Sequence, residues 1–131
     1  MNGAEFNPQL PLGEEELLAR YVFFSKRVRS DGTVRPDAFI PHPYPDLSVT
    51  RHDDLTEEEI WARGRAAANQ RPLYGRADTA AIVYRNEELT VQSDPLPGNR
   101  QHMNVQGWPV EKSLQRMIAT KIAADSQYQH A

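Results

Sequence analysis

The sequence predicts an α+β fold, a small, mostly antiparallel sheet or partial barrel packed with two to three helices. Three observations carry that expectation. Short extended runs such as "LSVTR" and "HMNVQ" are bounded by turn-forming residues, so strands follow one another without long crossovers. Helical patterning is confined to the two flanks and one central segment. Ten prolines against seven glycines in 131 residues favour many short connections. The length suits one domain. A chain of this size buries roughly two-thirds of its unfolded surface, enough to fold without a disulfide or a metal.

Residues 1–12 are expected to form a flexible arm, because Asn7-Pro8 and Leu10-Pro11 disfavour helix. The globular domain is placed at 13–125, and 126–131 is expected to be a disordered tail that includes His130. In "EEELLARYVFF", Leu17, Leu18, Tyr21 and Phe24 recur at helical spacing behind three glutamates, which predicts a short helix. The chain then becomes extended, turns at Asp31-Gly32, and stays extended through "TVRPDAFIP". Pro41, Pro43 and Pro45 form a stiff connector around His42. "LSVTR" alternates as a strand should.

"LTEEEIWARGRAAA" is the strongest local signal. Thr56 is the N-cap, Glu59 completes a capping box, and Leu55 and Ile60 form a hydrophobic staple, which sets a helix over about 57–68. "TAAIVYR" and "ELTVQ", joined at Asn86-Glu87, predict a β-hairpin. "HMNVQGW" is expected as the last strand, and Pro109 as the first turn of a final helix. On that helix Val110, Leu114, Met117, Ile118 and Ile122 fall on one core-facing stripe.

Composition narrows the function. With no cysteine, disulfides, thiolate metal sites and cysteine nucleophiles are excluded, and a reducing, cytoplasmic location is expected. No apolar run approaches the roughly 20 residues of a membrane helix, and the start lacks the basic, then apolar pattern of a secretory signal. A net charge of −3 argues against a surface wholly committed to nucleic acid. G-x-S-x-G, G-x-G-x-x-G, phosphate-loop and H-E-x-x-H motifs are all absent. Neither a metal nor a cofactor is expected. Asp53-Asp54 leads into the capped helix rather than forming a chelating pair.

Three groups of residues remain as candidates. His102, Asn104 and Gln106 share one face of a strand whose other face carries Met103 and Val105. That neutral ladder of donors and acceptors suits recognition of a peptide, a nucleotide or a base edge, with Trp108 anchoring the corner behind it. His52 and His102, each at a strand end, form a candidate acid–base pair, with Arg51, Arg76 or Arg100 to hold a phosphate. In "RPLYGRAD" Gly75 allows a positive φ or a close backbone approach, and Arg76 is placed to pair with Asp78 or with an incoming anion. The stretch 20–51 holds six basic residues among aromatics. It reads either as the wet face of core strands or as a contact for nucleic acid.

Four segments together carry a resemblance. These are Ala38-Phe39 with Pro41; Leu47-Ser48-Val49; Glu59-Ile60-Trp61; and His102-x-Asn104 followed by Gly107-Trp108-Pro109 before the last helix. In that order they resemble a group of small bacterial proteins of unknown function, over roughly residues 17–124. Met103 departs from the small residue expected there. The resemblance implies a recurrent domain and no activity.

The residues favour a non-catalytic binding or accessory module that uses the polar face of the last strand, most simply with a protein partner. The alternatives are a phosphate-substrate hydrolase or transferase using His52 and His102, and a nucleic-acid-binding protein acting through stretch 20–51. The oligomeric state is open.

Overall fold

"LLARYV" places apolar residues on both of its alternating faces, as a strand buried between neighbours does, and it forms β1 (Leu17–Val22). It pairs antiparallel with β2 (Leu47–Arg51) on one side and β3 (Gly75–Ala80) on the other. The computed structural model describes residues 11–41 and 45–131; residues 1–10 of the expected arm, and His42 and Pro43 of the connector, lie outside the described residues. Three further strands, β4 (Thr90–Ser93), β5 (His102–Gln106) and β6 (Gln127–His130), complete an open antiparallel sheet in the order β4-β5-β2-β1-β3-β6. The fold is α+β, and the sheet does not close into a barrel.

Among the described residues three α-helices accompany it: α1 (Glu57–Ala68), α2 (Ala81–Asn86) and α3 (Lys112–Ala124). The main core lies on one sheet face. Leu18, Val22, Val49, Met103 and Val105 meet Phe39, Tyr84, Leu89 and Ile122 there. On the other face Ala19 and Tyr21 pack against Ile60 of α1. Gly64 lets this helix approach closely, because a Cβ there would stand 2.6 Å from the Tyr21 ring. The capping box forms as expected, with Thr56 Oγ1 accepting from the Glu59 amide at 3.1 Å and Glu59 accepting from the Thr56 amide at 2.9 Å.

Five sequence expectations are corrected. The chain does not stay extended through "TVRPDAFIP": Pro36–Phe39 form a 3-10 turn that carries Ala38 and Phe39 into the core. Residues 17–22 are a strand and not a helix: a continuous apolar run fits both periods, and pairing on two sides decides for the strand. The expected hairpin from Thr79 to Gln92 is absent, because residues 81–86 form α2, whose Ala81 and Tyr84 enter the core one turn apart. The last helix begins at Lys112, two residues beyond Val110, and its buried positions are Ala119 and Ile122. Val110, Leu114 and Met117 stay exposed. The tail expected to be disordered is ordered as β6 on the outer edge of β3, because backbone ladder bonds add an edge strand with little side-chain signal. "HMNVQ" is therefore not the last strand.

Candidate functional site

The sheet face that carries α1 is divided into two halves. Residues opposite one another in register share a face. Ala19, Tyr21, Arg76 and Asp78 therefore lie on this face with Ser48, Thr50, His102, Asn104 and Gln106. Gln92 and Thr90 of β4 extend it. The ladder His102, Asn104 and Gln106 thus shares one face, and Met103 and Val105 enter the core on the other. Trp108 packs on that core, with Nε1 donating to the Val105 carbonyl at 3.0 Å.

The half beneath α1 holds a chain of charges. His52 Nε2 meets Asp78 Oδ1 at 3.0 Å. Arg76 Nε meets both Asp78 oxygens at 3.1 Å, and its Nη2 donates to Glu57 Oε1 at 2.7 Å. The Arg76 guanidinium also lies over the Trp61 ring, 4.6 Å from its centroid. Arg76 and Asp78 are 2% and 4% exposed, so each depends on the other for compensation. Burial works against the charge on Arg76, but the bonds and fields of Glu57 and Asp78 outweigh it and raise its pKa. Glu57 is held below the ordinary glutamate range, chiefly by its bond to Arg76. Gly75 has no positive φ; it serves close approach, since a Cβ there would meet Tyr128 and the Gln129 carbonyl.

Arg51 is likewise committed, with Nε and Nη2 gripping Glu16 at 2.7 and 2.6 Å. Arg51 and Arg76 therefore stand paired to carboxylates rather than presented to a phosphate. Arg100 is exposed on the turn before β5. His52 and His102 share the face but bond in opposite directions. His52 reaches Asp78 on β3, whereas His102 Nδ1 donates to the Asp94 carbonyl at 2.9 Å and lies 3.2 Å from its carboxylate. In the stretch 20–51, Arg20 donates inward to the Ala38 and Ser48 carbonyls, and Arg29 to the Val34 carbonyl. Burial, then the field of Arg27, pulls Arg20 down to about 10. The aromatics Tyr21 and Phe39 are buried in the cores.

The other half of the face is open. Ser48, Thr90 and Gln92 are exposed, and Asn104 and Gln106 are half-buried. Asn104 donates to Asp94 at 3.0 Å and Gln106 to Asp46 at 3.2 Å. Asn99 donates to Thr50 at 3.0 Å, and Gln101 accepts from Arg63 of α1 at 3.0 Å, so the turn before β5 forms a wall between the two halves. Sequence reasoning found the ladder but missed Asp46, Asp94, Gln92 and Ser48, because only pairing places them beside it. Among the described residues no group of His, Asp or Glu is arranged to hold a metal, and no helix is long and apolar enough to cross a membrane.

Tyr21 gives the covered half a measurable signature. Its hydroxyl donates to the Ile60 carbonyl at 2.6 Å, and burial pushes its pKa up to about 12. A raised folded pKa contributes stability that is complete below the unfolded value of about 10 and is lost as pH climbs toward about 12. Urea unfolding of the wild type should show this alkaline loss, and the loss should be shallower by up to about 2 kcal/mol in Tyr21→Phe. Parallel pH profiles for the two proteins would contradict it.

No protein-family model, no curated protein and no solved structure matches the chain.

Proposed function

We propose that the protein is a non-catalytic binding module whose recognition surface is the open half of the sheet, formed by β2, β5 and β4. The observation that supports this most is the contrast between the two halves of one face. Under α1 the buried charges Arg76 and Asp78 are paired with each other, whereas Ser48 and Gln92 are exposed beside the half-buried, hydrogen-bonded amides of Asn104 and Gln106. The charges bonded directly to the amides of this half, Asp46 and Asp94, are acidic. They repel phosphate and favour a polar or basic protein segment, so a protein partner is preferred to nucleic acid. The acid–base alternative has less support, since Arg51 and Arg76 are already paired and the two histidines bond away from each other.

Ser48→Arg with Gln92→Arg changes two exposed positions and leaves the core intact. In capture from a nuclease-treated host extract, a protein held by wild type should be lost by this double variant, while the variant's thermal midpoint stays within a few degrees, as surface changes normally do. Equal retention of that partner by both proteins would remove the face from consideration.

A further inference from the structure

A concavity lies beyond α1, away from the open half of the sheet. Trp61, Arg65 and Ala68 form one helical stripe. With Arg71, Leu73 and His130 they line a cleft of about 540 Å³, inside the roughly 300–1,000 Å³ range of small-molecule sites. Its walls are aromatic and apolar, its rim is cationic, and no Asp or Glu side chain lines it. This contrasts with a chain whose net charge is −3.

The walls are preorganised. Arg76, itself locked by Asp78 and Glu57, backs the Trp61 ring at 4.6 Å, and its buried Nη1 has no partner among the described residues. Arg71 gives Nε and Nη2 to the Ala68 and Ala67 carbonyls, which offsets the negative end of α1, and it stacks on Phe23 at 4.3 Å. Arg65 is exposed and reaches the cleft without such an internal commitment among the described residues. An indole backed by a cation, beside an uncommitted guanidinium, matches a planar ring that carries an anion.

We propose that this cleft binds a mononucleotide, the base stacked against Trp61 and Leu73 and the phosphate held by Arg65, with Arg71 and His130 on the rim. The proposal does not depend on the sheet face described above.

The test follows the indole N–H signals of ¹⁵N-labelled protein during titration with AMP, adenosine and inorganic phosphate. Trp108, packed on the main core, serves as internal reference. AMP should shift Trp61 and leave Trp108 in place, and adenosine and phosphate should each bind at least about tenfold more weakly. Arg65→Ala, an exposed change to a good helix former, should weaken AMP by about tenfold. An unmoved Trp61, or equal AMP affinity in Arg65→Ala, would overturn the proposal. So would an oligonucleotide that shifts Trp61 where AMP does not, since a strand would then occupy the cleft.

Discussion

Asp78→Ala is expected to lower stability by about 3–5 kcal/mol, the usual cost of leaving a buried charge without its partner. Asp78 is 4% exposed and Arg76 2%, and without the carboxylate the guanidinium keeps only Glu57, whose side chain is 70% exposed and solvent-screened. His52 loses its bond in the same step. A domain of this size holds roughly 5–15 kcal/mol in total, so the loss is a large fraction. The urea midpoint reads it directly. Glu57→Gln, by contrast, should cost under about 1 kcal/mol, because that end of the chain of charges is wet. A loss for Asp78→Ala as small as that would show that Arg76 finds water instead.

The second large effect is at Gly75. A Cβ there would meet the Tyr128 side chain and the Gln129 carbonyl of β6. The carbonyl is backbone and cannot swing aside, so Gly75→Ala should cost about 1–3 kcal/mol through overpacking. The loss should be local. Amides of β6 should lose hydrogen-exchange protection while those of β2 and β5 keep theirs, since an edge strand can detach without opening the core. Unchanged protection over residues 127–130 would show that the two strands separate slightly at no cost. Because His130 rims the cleft beside Trp61, detachment of β6 should also weaken any ligand held there.

How much of this was legible in the sequence depends on whether a signal was local. The capping box at Thr56 and Glu59, the β2 strand and the two faces of β5 are local patterns, and they stand in the structure as read. β1 was not legible, because Leu17, Leu18 and Tyr21 satisfy a helical spacing as well as a strand buried on both sides. α2 was masked by Ile82 and Val83, β-branched residues that tertiary packing places in a helix. The polar run "GRADTA" gave no hint of a strand flanked on both sides; it lies between β1 and β6, where Arg76 and Asp78 compensate each other. The ion pair within that run was visible as one of two options. Glu57 and Trp61 were not visible as companions of Arg76, nor Glu16 as the partner of Arg51, since they lie 15 to 35 positions away and only the fold brings them near. The repeat of Glu57, Trp61 and Arg65 along one side of α1 is a signal that could have marked the Arg76 site and the cleft together.

The central claim, that the open half of the sheet receives a protein partner, is tested most directly by site-specific photo-crosslinking in the host. A benzophenone amino acid is placed in turn at Gln92, at Ser48 and, as a control, at the exposed Lys112 on α3. The account predicts one shared protein adduct from Gln92 and Ser48 and none of it from Lys112. Adducts from Lys112 alone, or no adduct from either sheet position, would contradict it.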